Sequence, residues 1–196
     1  MTEPTATGKM PRVVVAIAAA AIVAGLIVGL TREDKPPTAP PPPVTSARSP
    51  LLRNVGVRLY VGDSSPVALG DGDEVSPDTA YAGAHNNIGS APAYVMVFAI
   101  DSVKAVHWLY PAYVETNGDP TSIFVPQSEA EEGFPTSVVL ASPAPGSMKI
   151  VTLITPKPHR VSEIARRSPE SLERDTLERD FDGAVIVKHV RVRAAQ

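Results

Sequence analysis

The sequence predicts a single N-terminal transmembrane helix followed by a mainly-β domain, an antiparallel β-sandwich with a short helix before its last strand. Three observations predict this class: a long apolar run near the start, a proline-rich stretch after it, and short β-branched runs separated by Pro and Gly turns. They divide the chain into a short tail (1–12), a transmembrane helix (13–30), a proline-rich linker (31–50) and the β-sandwich domain (51–196).

Composition excludes several classes of protein. The chain has 196 residues, a formal net charge of −3 and no cysteine. Without cysteine there is no disulfide, no thiolate metal site and no thiol nucleophile. The slightly acidic balance argues against nucleic-acid binding, which requires a basic surface.

The segment Val13 to Leu30 contains no charged, amide or hydroxyl side chain. As a helix it spans roughly 27 Å, close to the ~30 Å hydrocarbon core of a bilayer. Two basic residues lie near each end, so the positive-inside rule does not fix the orientation. A short basic tail before a long apolar run is typical of a signal anchor, which places the tail in the cytoplasm and the domain outside it.

A cleaved signal peptide is the alternative. Its apolar core is expected to have about 7 to 15 residues, fewer than this segment has, and no small-x-small cleavage site follows Leu30. In either case the domain is exported.

Small residues recur every four positions along the predicted helix, at Ala21, Gly25 and Gly29. Such a face allows close approach of two helix backbones and predicts a homodimer through the membrane. The alternative is that Ala and Gly are simply common in membrane helices.

The segment Lys35 to Pro50 contains seven prolines. Proline disfavours both helix and sheet, so we expect a polyproline-II strut of up to roughly 50 Å. A role as a ligand for proline-recognition modules is the alternative.

The domain is predicted to consist mainly of strands. Val55 to Val61 alternates apolar and polar residues, whereas Ala93 to Ile100 is apolar throughout and is expected to be buried on both faces. The latter should pair as a hairpin with Val103 to Tyr110, in which Trp108 and Tyr110 share a face. Further strands are expected at Val67–Leu69, Thr79–Ala84, Thr121–Val125, Ser137–Ala141, Lys149–Ile154 and Ala184–Val192.

The helical part is expected near the end of the chain. Val161 to Arg167 suggests one helical turn. Ser168 offers an N-cap with Pro169 at the first helical position, and Leu172 to Asp180 is predicted to be a helix that ends by Gly183.

Two motifs resemble a family. Ala93 to Pro111 has a valine-rich strand, Asp101, a turn and a second strand ending in Leu-Tyr-Pro, and Pro145-Gly146 precedes the run MKIVTLIT. Together they resemble a bacterial domain-of-unknown-function family over residues 55–154, although this chain lacks a glycine after Asp101 and adds a helix and a strand. The resemblance implies a β-rich module of an envelope or signalling protein, with no catalytic residues to carry over.

No constellation predicts a metal or a cofactor. Asp71, Asp73 and Glu74, with Asp63, offer oxygens for calcium but do not match an EF-hand loop. The four histidines lack the spacing of a zinc site, and they are His85, His107, His159 and His189.

Catalytic residues are not predicted either. Ser90, His107 and Asp101 are the residue types of a hydrolase triad, but no G-x-S-x-G elbow accompanies them. We therefore interpret the chain as non-enzymatic.

Two sets of residues are candidates for a binding patch. Trp108, Tyr110 and Tyr113 could supply aromatic contact area, the alternative being that Trp108 and Tyr110 fill the core. His189, Arg191 and Arg193 share a face of the last strand, the alternative being the charge protection of an edge strand.

The leading hypothesis is a non-enzymatic module anchored in the bacterial inner (plasma) membrane, with a periplasmic domain that binds a protein or an envelope polymer. The alternatives are a membrane-anchored hydrolase acting on envelope material, and a membrane signalling component with a cytoplasmic domain.

Overall fold

The computed structural model describes residues 49–62, 65–113 and 118–194. The predicted tail, transmembrane helix and most of the linker lie outside the described residues, and so do Ala21, Gly25 and Gly29. Within the described ranges, every helix is too short or too polar to cross a bilayer.

The described part of the chain forms a mainly-β domain, which confirms the predicted class at that level. The strands in chain order are β1 (Val55–Val61), β2 (Val67–Ala68), β3 (Glu74–Val75), β4 (Ala80–Asn87), β5 (Ala93–Ile100), β6 (Val106–Tyr110), β7 (Ile123–Val125), β8 (Ser128–Gly133), β9 (Val138–Val139), β10 (Gly146–Thr155) and β11 (Ala184–Val192). The helices are α1 (Pro50–Asn54), α2 (Val161–Ala165) and α3 (Arg174–Phe181), with a 3₁₀ turn at Pro169–Ser171.

The strands form two curled sheets. The first has the order β2-β1-β4-β8, with β9 beside the other half of β4, and the second has the order β3-β11-β10-β5-β6, with β7 beside β5. The pairing is antiparallel, as predicted, except between β11 and the two-residue strand β3, which are parallel.

Strand β5 lies between two hydrophobic cores and contributes side chains to both. Val95 and Val97 pack in the core that the two sheets share, whereas Met96 and Phe98 pack in a second core beneath α2 and α3. The second sheet therefore has an inner face toward the first sheet and an outer face toward the helices. This confirms that β5 is buried on both faces, and the predicted hairpin with β6 is also present.

The helices cover part of the outer face. Ile164 of α2 and Leu177 of α3 are fully buried there. Helix α3 begins later than predicted because the 3₁₀ turn precedes it. The helix ends where Asp182 takes the left-handed conformation (φ +49°), and Gly183 follows because a Cβ there would lie 2.7 Å from the carbonyl oxygen of Ile154.

Candidate functional site

The carboxylate of Asp101, immediately after β5, organises the turn into β6. Its Oδ1 accepts the N–H groups of Val103 (3.0 Å) and Ala105 (2.9 Å). Its Oδ2 accepts the N–H of Ala144 (3.0 Å) and lies 3.0 Å from Nε2 of His107. One buried side chain thus holds together the β5–β6 turn, the start of β6 and the loop before β10.

These hydrogen bonds determine the ionisation of Asp101. Burial alone would raise the pKa of Asp101, but the hydrogen bonds from His107 and from the three backbone N–H groups lower it below its usual value. The ionised carboxylate can only accept, so Nε2 of His107 carries the proton in this pair.

His107 of this pair lines a groove between the edges of the two sheets. We call this 390 Å³ cavity the aromatic groove, and its walls come from β6, β9 and the end of α2. Its lining includes His107, Trp108, Tyr113, Val139, Leu140 and Ala165. The ring of Trp108 packs 5.3 Å from that of Phe98 on the outer face, and Val139 is 56% exposed at the rim.

Tyr110 does not belong to this surface. A β-bulge pairs Tyr110 with Val97 but Trp108 with Phe98, so Leu109 is an additional residue and the two aromatic rings point to opposite faces. The prediction that Trp108 and Tyr110 share a face is therefore wrong.

Tyr110 belongs to the inner core, with 1% of its surface exposed. Its hydroxyl lies 2.9 Å from the carbonyl oxygen of Thr136 and 3.2 Å from that of Tyr81, and burial raises the pKa of Tyr110 to about 12. The ring stacks on Phe134, 4.3 Å away. Gly83 leaves room for this pair, because a Cβ there would lie 2.5 Å from the Phe134 ring.

The basic residues of β11 lie on the outer face, as their alternation predicts. His189 and Arg191 are exposed and alternate with buried Val190 and Val192, and Arg193 follows at the end of the strand. Strand β11 lies between β10 and β3, so the interpretation as an edge strand is wrong at this end.

The structure separates the two halves of the predicted patch. Strands β11 and β6 are three strands apart in the second sheet, which corresponds to about 14 Å. Trp108 and Tyr113 therefore form one surface, and the basic residues form another.

The structure does not bring together the carboxylates that offer oxygens for calcium. Asp71 accepts the N–H of His189 (2.6 Å), Asp73 accepts that of Gly70 (2.6 Å), and Glu74 pairs with Arg193. Asp63 lies outside the described residues. In the described ranges no three His, Asp or Glu side chains form a group that could hold a metal ion.

The hydrolase arrangement is only partly present. Asp101 and His107 are in contact, but Ser90 precedes β5 whereas Asp101 follows it. The eight residues of β5 separate the two ends by about 25 Å. Ser90 therefore cannot act as the nucleophile of this pair.

Sequence reasoning did not identify the wall of the groove formed by Val139, Leu140 and Ala165. The only signal was a short apolar run between turns, which predicts a strand but not its neighbour. Their proximity to Trp108 depends on how the edges of the two sheets meet, which local periodicity does not encode.

No family model, curated protein or solved structure matches this chain. The argument for function therefore depends on the two surfaces described above.

Proposed function

We propose that this chain is a non-enzymatic binding module anchored in the bacterial inner membrane, whose β-sandwich binds a protein or an envelope polymer in the periplasm. The aromatic groove is the observation that carries the proposal. The apolar segment 13–30 supports the anchor, and the proline-rich segment after it supports a spacer between membrane and domain.

The groove has the composition of a binding surface. Trp108 and Tyr113 are partly exposed and present rigid aromatic area, which contributes much contact energy at low entropic cost. Both sheet edges are held in place, β6 by the Asp101 hydrogen bonds and β9 by pairing with β4. A preformed groove loses little conformational entropy when a ligand binds.

The resemblance to a family of envelope modules supports the same proposal. Its two motifs, around Asp101 and around Pro145-Gly146, are distant in sequence but adjacent in the fold. The hydroxyl of Ser102 donates to the carbonyl oxygen of Pro145 (2.8 Å), and the Asp101 carboxylate accepts the N–H of Ala144.

A second candidate is a hydrolase that acts on envelope material. The observation that favours it is His107, which lines the groove and is oriented by an ionised carboxylate. A histidine held in this way can act as a general base.

Photocrosslinking separates the two candidates. We expect full-length protein with benzoylphenylalanine at Tyr113 to form a discrete adduct in cells, and Trp108→Ala to abolish it because the groove loses its main aromatic wall. The matched control carries the photoreactive residue at Phe124, an exposed aromatic position (52% exposed) on β7.

His107→Gln is the discriminating variant. If the protein is a binding module, His107→Gln keeps both the Tyr113 adduct and the cellular phenotype of the wild type. Loss of the phenotype with the adduct retained would favour the hydrolase, and equal adducts at Tyr113 and Phe124 would contradict the groove.

A further inference from the structure

A band of basic side chains crosses the outer face of the second sheet where the helices leave it uncovered. We call it the cationic channel. It consists of two adjoining clefts of 630 and 420 Å³, and both are lined by Ser147 and His189. Its basic side chains are Lys104, Lys149, His189, Arg191 and Arg193.

The register of β10 and β11 produces this arrangement. Ser147 lies directly opposite Arg191, and Lys149 lies directly opposite His189. Such cross-strand neighbours are about 5 Å apart, and alternate residues along a strand are about 7 Å apart. The sheet therefore presents a two-by-two array of hydrogen-bond donors, which Arg193 extends along β11.

Three carboxylates, those of Glu74, Asp101 and Glu173, line the clefts beside the four Lys and Arg side chains and neutralise only part of their charge. Arg193 pairs with Glu74 (3.2 Å), and Lys149 pairs with Glu173 (2.9 Å). Nδ1 of His189 lies 3.7 Å from Asp71. Arg191 lies opposite Glu74 in the register of β11 and β3, but Glu74 pairs with Arg193, and no carboxylate of the described part of the chain lies within ion-pair distance of Arg191.

We propose that the cationic channel binds an acidic polysaccharide, a linear sugar chain that carries carboxylate groups. Arg191 provides a guanidinium for a carboxylate, and the Ser147 hydroxyl can bond to sugar hydroxyls. Pro145 and Pro169 form nonpolar walls against which sugar rings can lie. This mixture fits a chain with spaced charges better than a uniformly charged phosphate polymer.

Other anionic partners fit less well. A lipid surface is not favoured, because Val103, at 70% exposed, is the one large and strongly exposed apolar side chain in the turn that borders the smaller cleft. A single exposed apolar residue is ordinary on a protein surface. The net charge of −3 opposes nucleic acid.

The start of the described domain lies away from the channel. The carbonyl of Asn54, at the end of α1, accepts the N–H of Ile88 (2.8 Å), close to the start of β5. The channel lies where β5 ends, about 25 Å away along the strand. The first described residues of the domain and a bound sugar chain therefore do not compete for space.

Calorimetry on the full-length protein in detergent micelles, with polygalacturonate as the probe, tests this proposal. We expect saturable binding that the double variant Lys149→Gln/Arg191→Gln weakens about tenfold, because it removes two cationic hydrogen-bond donors; tenfold corresponds to a loss of about 1.4 kcal/mol in binding free energy. The control Arg53→Gln/Lys157→Gln removes the same charge elsewhere and should bind as the wild type does.

Glu173→Gln gives an independent readout. It frees Lys149 from its ion pair, so we expect binding to become about twofold tighter. Loss of fold cannot produce tighter binding, and circular dichroism of each variant verifies the fold.

The proposal is overturned if polygalacturonate does not bind, if both double variants weaken binding equally, or if phosphatidylglycerol vesicles or duplex DNA bind more tightly. It names a ligand class for the proposed binding module and rests on that proposal. A Tyr113 adduct without polysaccharide binding would overturn only the ligand class and leave the binding module in place.

Discussion

Asp101 connects two parts of the chain that are 43 residues apart in sequence. Its carboxylate satisfies three backbone N–H groups, which would otherwise be left without a partner in a poorly solvated place. An unsatisfied buried donor costs about 1–3 kcal/mol, so this one residue stabilises the fold around both candidate surfaces.

We expect Asp101→Ala to lower the free energy of unfolding by about 3 kcal/mol, because its three N–H groups and His107 lose their acceptor. Asp175→Ala, at an exposed position of α3, serves as the control and should change the free energy of unfolding little. Urea denaturation measures both values, and equal stability of the two variants would contradict the role given to Asp101.

The difference in free energy of unfolding between wild type and Asp101→Ala depends on pH. Folding lowers the pKa of Asp101, so its contribution is fully present above the unfolded value of about 4 and is lost as the pH falls through the lower folded value. The stability difference between wild type and Asp101→Ala should therefore shrink below pH 4.

Among the elements, β5 and β11 have the bounds that the sequence predicts, because their apolar runs are long and are bracketed by turns. Strand β6 begins at Val106 instead of Val103, since the turn held by Asp101 extends to Ala105. The bulge at Leu109 was not predictable, because a bulge reflects the register with β5 and not the alternation within β6.

Strand β8 was missed entirely. Its sequence, SEAEEG, has no apolar alternation, and its side chains are mostly exposed. The strand forms because β4 offers a ladder of backbone partners, and Glu131 is held by Arg58 (2.9 Å) and by the hydroxyl of Tyr60 (2.7 Å). Tertiary pairing here overrides a sequence that indicates a loop.

The acidic side chains of β8 protect a strand edge. Among the described strands only β4 pairs with it, so its other edge is open, and acidic side chains discourage further strands from adding there. We expect replacement of Glu129, Glu131 and Glu132 by Gln to cause self-association, measured by sedimentation velocity.

The matched control replaces Glu170, Glu173 and Asp175 by Gln near α3, which removes the same number of charges away from a strand edge. If both triple variants associate equally, net charge and not edge protection governs the solubility of this protein.

At the scale of the whole molecule, the second sheet belongs to both hydrophobic cores, which makes three layers of a domain whose sequence predicted two. The unbroken apolar run of β5 indicated that both of its faces are buried. It did not indicate that helices cover one of these two faces, because the predicted helix has an exposed, charged face and few apolar positions.

The proposed anchor has a direct test. We expect the full-length protein to remain with membrane vesicles in alkaline carbonate, because eighteen apolar residues are stable in lipid, and a variant lacking residues 1–34 to be washed off. Gly25→Leu/Gly29→Leu should keep the anchor but lose detergent-resistant dimers. A mature protein that begins beyond residue 30 would contradict the anchor.

Ala194 lines the larger cleft of the cationic channel, directly after Arg193 and two residues before the last residue of the sequence. A bulky label attached at Ala194 would therefore lie at this cleft and obstruct a large ligand there. Immobilisation on a sensor chip through that position would mask the same cleft.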